Sequence, residues 1–287
     1  MATNRERNDR KAGKKQGPKS RFEPARERGW SPQPDSDSRP REPRKIEADH
    51  LIWGRHAVLA ALANPARKGM GRLMVTPERA AEIEAGGLAS NGHKPEILEP
   101  RALDKILPTG AVHQGFVFKV APLEGVSLED LAEPAGGVIV MLDQITDPQN
   151  VGAIFRSALA FGARGIIVQD RHSPALAGPL AKAAVGATER LLHARVTNLS
   201  RALEKLADMG WRAVALDGST DLTLEAALDD RPTVLVMGSE GDGVRRLVTE
   251  HCDVVARIPM PGGFESLNVS NAAAIALYEA ARAQRRS

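Results

Sequence analysis

Gly137-Val-Ile-Val-Met-Leu142 runs for six residues without a polar side chain. Four later stretches share that texture: Gly165-Ile-Ile-Val168, Trp211-Arg-Ala-Val-Ala-Leu216, Thr233-Val-Leu-Val-Met237 and Val254-Val-Ala-Arg-Ile258. A strand buried on one face alternates apolar and polar residues, whereas one buried on both reads as a nearly continuous apolar run, the mark of a parallel sheet. Helical segments separate the runs: Val151–Phe161, Pro179–Gly186, Leu199–Met209, Val244–His251 and Asn271–Arg282. Strands alternating with helices at this spacing predict an α/β doubly wound sheet over residues 137–287.

Open parallel sheets bind ligands beyond the carboxyl ends of their strands. Four segments are expected there: Asp143–Arg156, Asp217–Thr220, Gly238–Gly243 and Pro259–Asn271. In the first, Asp147-Pro148 is a cap followed by a residue pre-set for the first helical turn. Asn150 and Gly152 are less easily explained, because glycine weakens a helix start unless something must approach closely. Arg156 lies six positions after Asn150, which does not place the two on one helical face.

Val236-Met-Gly-Ser-Glu-Gly-Asp-Gly243 ends a strand in three glycines. Their order, G-x-x-G-x-G, is not the G-x-G-x-x-G of a dinucleotide phosphate loop, and Glu240 would repel a pyrophosphate. That weakens a nicotinamide oxidoreductase reading. In Ile258–Glu279 a Pro/Gly turn leads into an Ala-rich helix, with Ser266, Asn268, Ser270 and Asn271 between. One such residue suffices to cap a helix; the surplus points to groups aimed at a ligand.

Taken jointly, three loops resemble the motifs of the SpoU (TrmH-like) RNA 2′-O-ribose methyltransferases in order and spacing. Thr146–Arg156 is similar to the first motif, the Val236–Glu240 loop to the second, and Ile258-Pro-Met-Pro-Gly262 with Ser266-Leu-Asn-Val-Ser270 to the third. Trp53-Gly-Arg-His56, His113-Gln-Gly115, Ala184-Val-Gly-Ala187 and Arg195-Val-Thr-Asn-Leu199 resemble the RlmB-like branch, which methylates a guanosine of 23S ribosomal RNA. The resemblance spans about Ile52 to Arg282, and departs from the pattern at Gly263-Phe264-Glu265, where a carboxylate precedes the third motif.

The resemblance implies a C-terminal α/β-knot (SPOUT) domain, a trefoil-knotted parallel sheet, at residues 137–287. It also implies a small L30e-like α/β domain at 49–121 that binds the RNA substrate, and a homodimer. S-adenosyl-L-methionine would be the methyl donor, lying against Gly238, Ile258 and Leu267 with Leu216 and Gly218 near its sugar. The family would put Arg156 at the base position. A guanidinium is always protonated, so Arg156 is better read as a fork on an RNA phosphate that polarises the 2′-hydroxyl, with Asn150, Glu240, Ser266 and Asn268 orienting it. A transfer-RNA methyltransferase of the same family and a non-catalytic RNA-binding protein of the same fold are the alternatives.

The first part of the chain fits this division. Residues 1–48 are rich in Arg, Lys, Pro, Ser and Gly and lack apolar periodicity, the composition of a disordered basic tail. Residues 1–50 carry 14 Lys+Arg against 9 Asp+Glu, leaving 25 and 27 of the chain's 39 and 36 for the remainder. A short helix from Trp53 to about Asn64, strands at Arg72–Thr76, Glu96–Leu98 and Gly115–Ala121, a helix to Glu84 and another at Arg101–Ile106 make up the small α/β unit. His113, alone in a turn, reads as structural. Residues 122–136 read as a linker with one short helix.

Composition limits the chemistry. Aromatics are 3% of the 287 residues, too few for a surface built on base stacking. The single cysteine, Cys252, allows no internal disulfide framework and fits a reducing compartment. No apolar run approaches a membrane span, the N-terminus lacks a signal peptide's apolar core, and no Cys/His cluster has the spacing of a metal site. A cytoplasmic protein without a membrane anchor or metal is expected.

Overall fold

All five apolar runs of the C-terminal region are parallel strands in the computed structural model, which describes residues 50–86, 88–262 and 266–285. The tail at 1–48 and the Gly263-Phe264-Glu265 departure lie outside the described residues. β5 (Val138–Leu142), β6 (Gly165–Gln169), β7 (Leu192–Val196), β8 (Arg212–Leu216), β9 (Thr233–Met237) and β10 (Val254–Ala256) form one sheet in the order β10-β8-β9-β5-β6-β7. Every pairing in it is parallel. Side chains alternate between two cores, as the period of a strand requires. Val138, Val140 and Leu142 join one core with α5 (Pro148–Ala160), α6 (Gly178–Ala184) and α10 (Val269–Ala283). Ile139 and Met141 join the other, with α4 (Leu128–Ala132), α7 (Leu199–Asp208) and α9 (Arg246–Thr249).

Two strands escape the sequence reading. β7 carries His193 and Arg195 and pairs with only one named strand, β6. The buried His193 and half-buried Arg195 interrupt the apolar run that marks the other strands, so its sequence lacks the continuous signal. β1 (Leu51–Trp53) is the other. The expected helix from Trp53 instead starts at Arg55 as α1 (Arg55–Ala63), after Gly54 turns at φ 89°. Trp53 closes a strand whose three residues are all buried.

β1 belongs to a second sheet, of order β1-β4-β2-β3, with β2 (Arg72–Val75), β3 (Glu96–Ile97) and β4 (Phe116–Lys119). α1, α2 (Pro77–Glu84) and α3 (Pro100–Ile106) accompany it. His113 serves its turn: Nδ1 accepts from the Gly115 N–H at 2.9 Å, and Nε2 lies 3.3 Å from Asp104 Oδ1. The stretch read as a linker is not loose, since Leu128, Leu131 and Ala132 are buried beneath the parallel sheet.

Arg67 ties the segment after α1 to the parallel-sheet region. Its Nε and Nη2 donate to the Glu189 carboxylate at 2.7 and 2.9 Å, and Nη1 donates to the Ala121 carbonyl at 2.7 Å. Both ionic side chains are 2% exposed. Asn64 Nδ2 adds a bond to the same carboxylate at 3.0 Å. A charge pair so buried is tolerable only when its remaining hydrogen-bonding capacity is met, as the surrounding partners do here.

Candidate active site

The carboxyl ends of β5, β8, β9 and β10 gather the loops the sequence singles out. Asp147 caps α5, its carboxylate accepting from the Gln149 and Asn150 N–H groups at 3.1 and 3.2 Å, with Pro148 in the first turn. Asn150 is thereby fixed within the first turn of the helix. Gly152, next along, is explained by packing: a Cβ there would stand 2.5 Å from the Leu180 carbonyl oxygen and 2.6 Å from Ala183 Cβ. The close approach is to α6, not to a ligand.

After β9 the chain folds back on itself, with Gly243 N–H donating to the Ser239 carbonyl at 3.0 Å. A Cβ on Gly238 would overlap the backbone of Gly243 and Val244, so glycine is what lets this loop close. The turn presents Glu240 to the start of α10. There Asn268 does two jobs with one side chain. Its Oδ1 caps α10, accepting from the Ser270 and Asn271 N–H groups at 3.0 and 3.4 Å. Its Nδ2 donates to Glu240 Oε1 at 2.8 Å and to Asn150 Oδ1 at 2.9 Å. Asn150 Nδ2 donates to the same Glu240 oxygen at 3.1 Å, and the Val269 N–H reaches it at 3.3 Å. Three loops, separated by up to 118 residues, thus meet on one carboxylate.

Beside this triangle lies a cleft of ≈ 470 Å³. Leu216, Gly218, Gly238, Ile258, Ser266 and Leu267 all line it, as do Glu240 and Asn268. Asn150 is not among its lining residues, and neither is Arg156. Arg156 sits on α5, exposed, with no hydrogen bond or ion pair among the described residues. The structure therefore joins Asn150, Glu240 and Asn268, sets Ser266 in the adjacent wall, and leaves Arg156 outside both.

Asp217 and Met260, which the sequence placed in ligand-facing segments without a role of their own, also line the cleft. Asp217 Oδ1 accepts from the Ser219 N–H at 2.8 Å in a tight turn after β8. Its place, one residue past an apolar strand, is the signal that set the Asp217–Thr220 segment at the ligand-facing edge. Asp143 was also passed over as a functional residue. It is fully buried and bound by Arg245 through Nε at 2.8 Å, Nη2 at 2.7 Å and the backbone N–H at 2.9 Å, which anchors the segment that follows the glycine loop.

The cleft suits an adenosyl sulfonium ligand. Leu216, Met237, Ile258, Met260 and Leu267 give apolar walls, and Asp217, Glu240 and Asp242 are its charged lining side chains, all of them negative. That pairing matches a flat apolar base attached to a cationic centre.

Comparison with known proteins identifies the family. Residues 137–278 match the SpoU rRNA Methylase family, and residues 51–126 match the RNA 2'-O ribose methyltransferase substrate binding family. A protein named as an uncharacterized tRNA/rRNA methyltransferase from Mycobacterium sp. (strain KMS) is 37% identical over 97% of this chain and 96% of its own length. One of the same description from Mycolicibacterium smegmatis is 39% identical over 85% of this chain and 79% of its own. Among solved structures, the SpoU methyltransferase AviRb from Streptomyces viridochromogenes in complex with the cofactor AdoMet is 27% identical. It superposes with a TM-score of 0.66 over 83% of this chain and 90% of that one. Both modules and the near full-length relatives agree: the chain belongs to the SpoU family of AdoMet-dependent RNA methyltransferases.

Proposed function

We propose that this enzyme methylates a ribose 2′-hydroxyl of RNA, at a guanosine of 23S ribosomal RNA. The observation that carries the reading is the Asn150–Glu240–Asn268 triangle at the edge of the cleft. Bound S-adenosyl-L-methionine supplies an activated sulfonium methyl group. A ribose hydroxyl is a poor nucleophile, so the protein's work is to align it and to ease loss of its proton. The walls at Leu216, Gly218, Gly238, Ile258 and Leu267 hold the cofactor, and Ser266 with the triangle orients the hydroxyl. The Arg156 guanidinium grips the neighbouring phosphate and stabilises negative charge developing on the 2′ oxygen.

Arg156 is unpaired among the described residues, which leaves its donors available for RNA. The remaining expectations belong with this reading: a trefoil knot in the 137–287 domain, RNA docking on the L30e-like unit at 49–121, a homodimer and a cytoplasmic location. Among the described residues no helix is long and apolar enough to cross a membrane. Phe161, Ile275 and Tyr278 are exposed near the end of α5 and along α10, with the Phe161 and Tyr278 rings 5.9 Å apart. That apolar surface suits a self-association face.

Incubating the protein with methyl-labelled AdoMet and, separately, unmodified 23S rRNA and bulk tRNA tests the reading. Label that resists alkaline hydrolysis at one 23S guanosine supports it. Label in tRNA alone favours the transfer-RNA alternative, which the relatives' tRNA/rRNA descriptions keep in play. A base-methylated product would exclude ribose chemistry.

A further inference from the structure

A second cleft, of ≈ 420 Å³, opens on the same edge of the parallel sheet. We infer that it holds a backbone phosphate of the RNA strand whose other nucleotide occupies the methylation site. The inference rests on the RNA-methyltransferase reading above, and adds to it a contact that neither the three motif loops nor the cofactor cleft contains.

The cleft lies where β6 and β7 end. Gln169, Thr197, Asn198 and Ser200 line it together with Arg245 and Arg246. Gln169 is 7% exposed. Its Oε1 accepts from the Gln144 N–H at 3.3 Å, which fixes the other end of the amide as the nitrogen. That nitrogen has no partner among the described residues. A ligand acceptor in the cleft would give it the bond it lacks.

Further donors stand beside it. α7 is ten residues long and begins here, with Asn198 capping only the Arg201 N–H. The Leu199 and Ser200 N–H groups have no partner among the described residues and carry the positive end of the helix dipole. The Arg246 guanidinium is 78% exposed. Its partner Glu250 is itself 49% exposed, and an ion pair so wet is weak and readily exchanged for a phosphate. Arg245 is more firmly committed, to Asp143.

The side chains of Thr197, Asn198 and Ser200 already hold partners within the protein. Thr197 Oγ1 donates to Asp170 at 2.9 Å, Ser200 Oγ donates to the Leu247 carbonyl at 3.0 Å, and Asn198 Oδ1 is used in the cap. The Leu199 and Ser200 N–H groups, the Gln169 amide nitrogen and the Arg246 guanidinium are left to meet a ligand, a set that favours an anion.

Position selects RNA over a free anion. Gln169 ends β6, two strands from β9 in the sheet, a separation of roughly 10 Å. Arg245 lies two residues beyond Gly243, which lines the cofactor cleft. One loop thus forms a wall of each cleft, and a strand crossing it can place a nucleotide in one and a neighbouring phosphate in the other.

The test uses the full chain with labelled oligouridylate and transcribed 23S rRNA as probes. Gln169→Glu keeps the acceptor for Gln144 and turns the free donor into an acceptor. Arg246→Ala removes an exposed cation. Each is expected to weaken both RNAs by roughly tenfold, without regard to sequence, and AdoMet binding by calorimetry is expected to stay unchanged. In Arg246→Ala the plot of log affinity against log salt should flatten by about 0.7. Unchanged RNA affinity and salt slope in both variants overturn the inference. So does a melting temperature raised by inorganic phosphate in the parent but not in Arg246→Ala, if RNA binding is unaffected, because the cleft would then be a small-anion site. A parent that binds AdoMet but neither RNA overturns the proposed function itself.

Discussion

Asn268 Nδ2 lies 2.8 Å from Glu240 Oε1 while the Oδ1 of the same side chain caps α10. The residue that starts the last helix is thus also the one that fastens the glycine loop to it. The two jobs separate by substitution. Asn268→Ala loses both, and the missing cap alone costs about 1 kcal/mol. Asn268→Asp retains a good cap but sets a second carboxylate against Glu240. Methyl transfer is expected to fall by at least about tenfold in both, measured by label incorporation at saturating AdoMet. A fully active Asn268→Asp enzyme would remove the triangle from the mechanism.

Arg156 stands apart from that triangle on the exposed side of α5. If it grips RNA, Arg156→Ala abolishes methyl transfer while calorimetric AdoMet binding persists. Arg156→Lys should recover little, because an ammonium cannot reproduce the two-pronged contact. Normal turnover by Arg156→Ala would refute the assignment.

Gly152 gives a prediction in which two effects oppose each other. Alanine is the better helix former by about 1 kcal/mol. Its methyl group would press on the Leu180 carbonyl and Ala183 of α6, and overpacking of this kind costs about 1–3 kcal/mol. Packing wins, so Gly152→Ala should melt lower than the parent. A raised melting temperature would show that α6 yields easily.

Burial, with Arg195 nearby, lowers the His193 pKa from 6.5 to about 4. The folded protein therefore keeps this imidazole neutral, while the unfolded chain protonates it below pH 6.5. Between pH 6.5 and pH 4 the unfolded state binds more protons, so stability falls as pH falls, by about 3 kcal/mol in all. Denaturant titrations across that window should show the loss, and His193→Gln should flatten it. An unchanged slope in the variant would assign the acid sensitivity elsewhere.

Arg67→Ala leaves Glu189 buried without its guanidinium. Breaking a buried pair from one side costs about 3–5 kcal/mol, enough to show as a large fall in the denaturation midpoint. A change below 1 kcal/mol would mean that the site opens to water.

Much of this was legible in the chain itself. Apolar runs marked five of the six parallel strands, because strands packed on both faces record their burial directly. The motif loops were legible too, through residues that local structure does not require: Asn150 beyond a complete Asp147-Pro148 cap, and Glu240 in a glycine turn. β7 was missed because His193 and Arg195 interrupt its apolar run, and β1 because three buried residues ending in a glycine turn look like the start of a helix.

What the sequence determined by itself was the periodicity of burial and the chemical character of each loop, since both depend on residues close together in the chain. That Asn150, Glu240 and Asn268 share one oxygen, that Gly152 serves a neighbouring helix, and that Gln169 faces an anion-suited cleft were decided only by tertiary structure. Those contacts join residues brought together by strand order and helix packing, and no local spacing encodes the distance between them.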